Sequence, residues 1–198
     1  DLFAADFGKL KKKKITKIES KFKTDIKLVN KLKDNDCPNF SVRLIKNVEN
    51  KNSSANLIKR FEKTDLKVIS SLVDITNFIT VDFCRPLHVF DYDKIHGNLT
   101  IRHSKKGERF LGLDDQNYQL DDGMIVICDD SGVISLAGIL GGKRTACDEK
   151  TKNVLIESAY FSPASIIKSG RKLNIQSDAR YRFERGIDPD SVEEGIEY

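Results

Sequence analysis

The chain contains 198 residues, of which 39% are hydrophobic and 32% charged, and its formal net charge at pH 7 is +4. This length is enough for one globular domain of generous size or two small ones. No apolar run approaches the roughly 20 residues that a membrane-spanning helix needs, and the charged start lacks the apolar core of a signal peptide. We therefore expect a cytoplasmic protein with no membrane partner. The modest positive charge permits a nucleic-acid partner without requiring one.

The two ends of the chain suggest that it belongs to a longer protein. It begins at Asp1 and not at a methionine. At the other end, Val192 and Ile196 begin a helical pattern just before Tyr198. We interpret the sequence as a piece of a longer chain.

The cysteines predict neither disulfides nor a metal site. Cys37, Cys84, Cys128 and Cys147 are widely scattered and form no CxxC pair. Reduced core thiols of a cytosolic protein are the expected state. Cys84 and His88 are spaced like half of a zinc site, but no second pair completes the four ligands of a structural site. We expect no metal.

Residues 1–36 form a lysine-rich N-terminal segment that includes the unbroken run Lys11–Lys14. Apolar residues such as Ile15 and Phe22 are interleaved with the lysines and can share one face. This composition favours a basic linker with a solvated surface. The alternative is a surface that contacts RNA phosphates, and the distribution of lysine does not separate the two.

Hydrophobic periodicity predicts one strand, then two helices, then a run of mostly antiparallel strands. The predicted strands are Asn39–Val48, Leu99–His103, Arg109–Leu113, Met124–Cys128, Val133–Ile139 and Val154–Phe161. The predicted helices are Leu57–Lys63, Val68–Phe83, which Pro86 ends, and a short helix that begins at Ser162-Pro163 and continues through Ser169. Helices at both ends of a run of strands are typical of an α+β fold, here with β-rich mixed or antiparallel sheets layered with helices.

The stretch NIQSDARYRFERGIDP, residues 174–189, is dense in polar groups and ends in an ordered stop. Charged residues alternate with Tyr181 and Phe183, which favours an amphipathic strand. Asp188 and Pro189 are suited to the N-cap and first turn of a following helix. We therefore predict a strand that runs into a helix.

Three polar side chains are candidates for chemistry from their context alone. Asn77 lies on the second predicted helix and can donate and accept hydrogen bonds at once, although an exposed amide is the plainer interpretation. His88 follows Pro86, so its backbone is expected to be extended, as a structural histidine or a functional one. Glu157 lies in an apolar strand and points either to solvent or inward, where it needs a hydrogen-bond partner.

The glycine-rich stretch after the predicted strand Val133–Ile139 has two interpretations. Gly138 and Gly141 permit positive φ or a close approach of a ligand to the backbone. A phosphate-binding loop is the rival, because Gly142-Lys143 resembles the end of GxxxxGK[ST]. Ala137 stands at the first glycine position and Arg144 at the Ser/Thr position. A nucleotide site is therefore disfavoured.

Four long segments resemble one protein family in the same order. SDARYRFERGIDP, residues 177–189, resembles the segment that closes the editing domain in the bacterial phenylalanyl-tRNA synthetase beta subunit. The other segments are VDITNFITVDFCRPLHVFDYDKI (73–95), LAGILGG (136–142) and TKNVLIESAYFSP (151–163). Together they cover most of the chain from about Cys37, which implies a tRNA-editing domain over 37–198 after a basic segment over 1–36.

The resemblance implies that the domain hydrolyses mischarged tyrosyl-tRNA(Phe) with a positioned water. Residues that match the family's pocket are Asn77, His88, Gly138, Gly141, Glu157, Ser177 and Ala179, and Lys67 occupies a position that is often arginine. Glu157 would recognise the phenolic hydroxyl, and His88 and Asn77 would position the ester and the water. The partners would be the tRNA(Phe) acceptor end and the alpha subunit, in an assembly of two alpha and two beta subunits. The parent enzyme would use ATP and magnesium, whereas this part would need no cofactor.

Several residues depart from the family pattern. Ser177 stands where threonine is common, and Arg85, Arg180 and Lys143 replace residues of different character. Asp115 replaces a turn glycine. We expect an intact pocket with an altered rim. The alternative function is a non-catalytic RNA-binding or scaffold module of the same synthetase.

Overall fold

The computed structural model describes residues 8, 16–21, 23–34, 36–64 and 66–198. The lysine run Lys11–Lys14 and the apolar residues Ile15 and Phe22 lie outside the described residues. Within the described part, ten strands form three sheets and five α-helices pack around them. This architecture confirms the predicted α+β fold.

The largest sheet has five strands in the spatial order β1-β4-β7-β8-β9. These strands are β1 (Leu28–Asn30), β4 (Leu99–His103), β7 (Ile125–Asp129), β8 (Gly132–Leu136) and β9 (Leu140–Gly141). β1 is parallel to β4, and the other neighbours are antiparallel. The β1 strand lies within the segment that the sequence analysis interpreted as a linker, so part of that segment is built into the sheet.

A second sheet carries the polar residues of most interest. Its order is β2 (Phe40–Ile45), β10 (Val154–Ala159) and β3 (Leu87–Asp91), and both pairings are antiparallel. Extended backbone was expected at His88, and the structure places it in a regular strand. A small hairpin of β5 (Arg109–Leu111) and β6 (Asn117–Gln119) is joined to the large sheet through the bridge between Gly112 and Gly142.

The five helices are α1 (Ala55–Phe61), α2 (Ser71–Asp82), α3 (Pro163–Leu173), α4 (Asp178–Phe183) and α5 (Ser191–Glu197). A 3-10 turn covers Tyr92–Lys94. The α2 helix begins three residues later than predicted, because the Asp74 carboxylate accepts a hydrogen bond from the Ile69 backbone N–H and holds a turn before the helix. α5 likewise begins at Ser191, just after the predicted start at Pro189.

The strand predicted over the alternating charges of residues 180–185 is wrong, because this stretch forms α4. Ser177 caps the helix, and its hydroxyl accepts a hydrogen bond from the Arg180 N–H at 3.0 Å. Two pairs at helical spacing then stabilise the turn, Asp178 with Arg182 and Arg180 with Glu184. Ion pairs at i, i+4 favour a helix. The charges that suggested an alternating strand therefore pair with each other along a helix.

One continuous hydrophobic core lies between the sheets and the helices. All five residues of β7 are buried, as are Phe90, Leu155, Phe161 and Ile166. These residues come from both larger sheets and from α3, so they fix the two sheets against each other. Among the residues that the structure describes, no helix combines the length and apolar character needed to cross a membrane.

Candidate functional site

A cavity of about 70 Å³ lies where the three-stranded sheet, the end of the five-stranded sheet and α4 meet. Its walls come from the start of β3, from β10, from the turn between β8 and β9, and from one face of α4. The lining residues are Pro86, Leu87, His88, Ser135, Leu136, Gly138, Ile139, Leu140, Gly141, Glu157, Ala179 and Phe183. Five of the residues predicted for a pocket, His88, Gly138, Gly141, Glu157 and Ala179, are therefore brought together here.

His88 and Glu157 form the polar side of the cavity. They are directly opposed on β3 and β10, and residues opposed across an antiparallel pair project to the same face of the sheet. Glu157 is 6% exposed, and its Oε2 atom has no hydrogen-bond partner among the described residues. The inward orientation, one of the two alternatives left by the sequence, is the one observed. A buried polar atom without a partner is costly and suits a site that a ligand completes.

Burial shifts the protonation of both groups towards the neutral form. It raises the pKa of the Glu157 carboxyl to about 8 and lowers the pKa of the His88 imidazole to about 4. Removing a group from water disfavours its charged form, so an acid and a base shift in opposite directions. Near neutral pH the cavity therefore presents a carboxylic acid, which donates and accepts, beside a neutral imidazole, which can accept a proton.

At the two predicted glycines, neighbouring side chains already occupy the place that a Cβ would take. Gly138 has φ of +67°, and a Cβ there would lie 3.0 Å from side-chain atoms of both Phe161 and Ile166. At Gly141 a Cβ would lie 2.4 Å from Cε1 of His88. The imidazole therefore packs directly on the Gly141 backbone. The positive φ considered from sequence is observed at Gly138, whereas the group that approaches the Gly141 backbone is the His88 side chain; approach of a ligand stays a prediction.

Ser177 acts on the cavity walls from outside the lining. Its hydroxyl donates to the Ile139 carbonyl at 2.6 Å and also caps α4. One hydroxyl thus ties the turn that carries Gly138 to the helix that carries Ala179. Serine has the same hydroxyl as the threonine that is common at this position, so Ser177 can make the link that a threonine would make.

Two predicted residues lie away from the lining. Asn77 is partly buried on α2, and Lys67 is exposed in the segment between α1 and α2. Neither lines the cavity. Their roles in the reaction stay predictions.

The departures from the family pattern have structural partners. Arg85 is 2% exposed, and Nη1 donates to the Ala159 carbonyl at 3.0 Å, while Nη2 donates to the Asp188 carbonyl. Arg180 is 6% exposed and donates to the Ile175 carbonyl. Both guanidinium groups join separate parts of the fold through backbone carbonyls, and neither residue lines the cavity, so their effect on its rim stays a prediction.

The remaining two departures compensate for each other. The Lys143 ammonium lies 2.8 Å from a carboxylate oxygen of Asp115, and both residues are exposed. The unusual lysine and the unusual aspartate thus form an ion pair beside the β5–β6 hairpin. The pair balances the charge on this part of the surface.

Sequence reasoning missed several apolar residues of the lining, above all Leu136 and Phe183. Phe183 lies four residues after Ala179, which places both on one face of a helix. That signal was present but required α4 to be recognised as helical. In the described part of the chain, no three His, Cys, Asp or Glu side chains are grouped so that they could hold a metal ion.

Comparison with known proteins agrees with the resemblance in the sequence. The model of the family described as B3/4 domain matches residues 36–198. The chain is 49% identical over its whole length to the phenylalanine–tRNA ligase beta subunit of Nitrobacter winogradskyi and 48% identical to that of Bradyrhizobium diazoefficiens. It spans 24% of the length of each of these relatives.

A solved structure shares the fold. The crystal structure of an N-terminal fragment of the phenylalanyl-tRNA synthetase beta subunit from Pyrococcus horikoshii matches with a TM-score of 0.56 and 16% identity, over 81% of this chain and 52% of that chain. Because the family model covers most of the sequence, the chain belongs to the B3/4 domain family, in the form that occurs in phenylalanine–tRNA ligase beta subunits.

Proposed function

We propose that this domain edits mischarged tRNA: its cavity receives the tyrosine of tyrosyl-tRNA(Phe), and the ester is hydrolysed by a positioned water. The observation that carries the proposal is the unpartnered, buried Oε2 atom of Glu157 in a cavity shared with His88. The phenolic hydroxyl of tyrosine both donates and accepts a hydrogen bond. It is therefore a suitable partner for a neutral carboxylic acid.

Selectivity follows from the cost of leaving Glu157 unpaired. A synthetic site built for phenylalanine cannot strongly reject an amino acid that only adds a hydroxyl, and its discrimination is about a hundredfold. A second site that needs the hydroxyl has the opposite preference. Phenylalanine would leave the buried carboxyl unsatisfied, which costs about 1–3 kcal/mol. The cavity then favours the wrong product and spares the correct one.

The chemistry needs little from the protein beyond placement. An aminoacyl ester is already activated, and orientation of the attacking water supplies much of the rate. His88 is neutral near pH 7 because burial lowers its pKa to about 4, so its imidazole can accept a hydrogen bond from that water and orient it. We propose that His88 holds the water and that Asn77 assists at the ester.

The phenol ring requires the cavity to widen. Its volume of about 70 Å³ is less than half of the roughly 150 Å³ of an engineered cavity that binds benzene. The wall includes several large apolar side chains whose rotation could make this space, among them Phe183 and Leu140. We propose that binding opens the cavity between α4 and the turn at Gly138.

The wider assignment concerns the complete subunit, of which this chain would be about a quarter. We propose that the complete beta subunit joins alpha subunits, two of each, in a cytoplasmic enzyme that attaches phenylalanine to tRNA(Phe). ATP and magnesium would bind elsewhere in that enzyme, and the editing domain would need no cofactor. The tRNA acceptor end would reach the cavity after transfer of the amino acid.

The test compares deacylation of tyrosyl-tRNA(Phe) and phenylalanyl-tRNA(Phe) by the assembled enzyme and by the 198-residue chain. We expect selective hydrolysis of the tyrosyl ester, lost in Glu157→Ala and slowed in His88→Ala. Glu149→Ala is the matched control, because Glu149 is exposed and does not line the cavity.

Two results would contradict the proposal. One is equal hydrolysis of both esters by the unmodified enzyme. The other is an equal loss of tRNA affinity and of selectivity in Glu157→Ala, since a recognition residue should change selectivity first. Absence of hydrolysis in both the enzyme and the chain would favour the scaffold or RNA-binding alternative.

A further inference from the structure

We propose that Leu111 and Leu113 form an apolar shelf at the mouth of the cavity that receives the terminal nucleoside of the aminoacyl-tRNA. The inference rests on the proposed function and extends it from the amino acid to the nucleotide that carries it. Leu111 is 42% exposed and Leu113 is 43% exposed. No role was assigned to either residue from the sequence.

Leu113 lies at the edge of the cavity. Its backbone N–H donates to the Gly141 carbonyl at 3.0 Å. A Cβ placed on Gly141 would lie 3.0 Å from Cδ1 of Leu113 and 2.4 Å from Cε1 of His88. The leucine and the histidine therefore pack against the same glycine, so the exposed leucine borders the imidazole that we propose holds the water.

Leu111 extends this surface away from the cavity. The backbone N–H of Lys143 donates to the Leu111 carbonyl at 3.0 Å, which fixes the strand beside the glycine-rich stretch. Phe110 is 3% exposed and faces the core, so Leu111 faces outward in the alternation of a strand. Leu113 follows in the turn that begins at Gly112, where the Asp115 N–H donates to the Gly112 carbonyl at 3.1 Å, and this turn carries the Leu113 side chain against Gly141.

The loop that carries Leu113 is held by several contacts. The Tyr118 hydroxyl donates to the Asp114 carboxylate at 2.6 Å, and the Tyr118 ring stacks on Phe110. Asp115 and Lys143 form the ion pair described above. The shelf is thus pre-organised, and the charges beside it are balanced. Its own chemistry is apolar.

The size of the cavity determines what must lie on the shelf. Even when a cavity of about 70 Å³ widens around the phenol ring, it has room for the amino-acid side chain and none for the ribose or the base. The ester group then lies at the mouth, and the next covalently attached groups are the ribose and the base of the terminal nucleotide. A base has an apolar face and is recognised in single-stranded RNA mainly by contact with that face. Two exposed leucines beside the ester fit this requirement.

The test separates the nucleoside from the amino acid. The complete subunit, assembled in its enzyme, is assayed with two esters: tyrosine methyl ester, which lacks a nucleoside, and 3′-O-tyrosyl-adenosine. We expect the second-order rate constant for tyrosyl-adenosine to fall about fivefold to tenfold in Leu113→Ala, and further in the double variant with Leu111→Ala. The rate constant for the methyl ester should not change. Leu113→Met keeps the apolar volume and should keep the rate.

The control variant changes a different exposed leucine. Leu28 is 38% exposed on β1, at the opposite edge of the five-stranded sheet from β9, and Leu28→Ala should change neither rate. If Leu113→Ala slows both esters equally, the leucine only supports the cavity and the shelf proposal is overturned. The same holds if neither ester is affected. If the unmodified enzyme hydrolyses tyrosyl-tRNA(Phe) but neither small ester, editing stands and the shelf proposal is overturned; if it hydrolyses none of the three, the editing function itself fails.

Discussion

Replacing Glu157 by glutamine should remove a pH dependence from the stability of the domain. Glutamine keeps the shape and hydrogen-bonding capacity of the protonated acid but cannot ionise. In the folded chain, burial raises the pKa of Glu157 from 4.5 to about 8. The folded state therefore holds the proton over a pH range in which the unfolded state has lost it. The stability linked to this proton is complete below pH 4.5 and is lost as the pH rises through 8.

The magnitude follows from the slope of about 1.4 kcal/mol for each pH unit while only the folded state binds the proton. Between pH 6.5 and pH 8.5 the wild-type chain should lose about 2 kcal/mol of unfolding free energy relative to Glu157→Gln. This window avoids His88, whose lowered folded pKa of about 4 affects stability mainly below the ordinary histidine pKa of 6.5. It also lies below the cysteines, since burial raises the pKa of Cys37, which faces Glu157, to about 12.

Urea unfolding of the two proteins at several pH values in this window is the measurement, with thiols kept reduced. Glu149→Gln serves as the control, because it removes an exposed carboxyl and should leave the wild-type slope unchanged. Parallel pH profiles for wild type and Glu157→Gln would refute the reasoning. They would mean that Glu157 is ionised in the folded chain, with a positive group or water that satisfies Oε2.

Three further substitutions test the surroundings of the site. In Gly141→Ala the new Cβ would lie 2.4 Å from the His88 ring, so the imidazole must shift. We expect the deacylation rate to fall about a hundredfold, with a small change in melting temperature. An unchanged rate would show that the position of the ring is unimportant. Ser177→Ala removes a cap and the donor to the Ile139 carbonyl, which should cost about 1 kcal/mol in urea unfolding and slow deacylation, whereas Ser177→Thr should restore both. Arg85→Met should lower the unfolding free energy by about 2 kcal/mol and leave the deacylation rate of the folded enzyme intact; a selective loss of rate would return Arg85 to the site.

The sheet strands were the part of the fold most readily predicted. Leu99–His103 was predicted with its observed bounds, and the strands near Ile125–Asp129 and Val154–Ala159 were predicted within one to two residues at each end. The last two strands are buried along nearly their whole length, and Leu99–His103 alternates between buried and less buried residues, so local composition and tertiary environment agree. β1 was missed because its residues are embedded among lysines, and its partner Leu99–His103 is about 70 residues away in the chain.

The site was predicted in composition but not in geometry. The resemblance identified His88 and Glu157 as site residues. Their direct opposition depends on the register between β3 and β10, because a shift of one residue would turn one of the two side chains to the other face of the sheet. The burial of Arg85 and Arg180 was not predicted, because the sequence does not show which backbone carbonyls remain for a buried guanidinium to satisfy. Those carbonyls, of Ala159 and Ile175, appear only once the helices are packed.

The proposed selectivity and the proposed reactivity of this cavity have the same physical origin. An exposed glutamate would be a carboxylate, which accepts a hydrogen bond from a phenol but gains as much from water. Burial raises the pKa of Glu157 to about 8, removes the competing water and leaves one oxygen unpaired. The same burial lowers the pKa of His88 to about 4, which keeps the imidazole neutral, so that it can accept a hydrogen bond from the proposed water. Exposing the cavity to solvent would lower the pKa of Glu157 towards 4.5, and the proposed preference for tyrosine would decline, because water would then compete with the phenol for a Glu157 carboxylate.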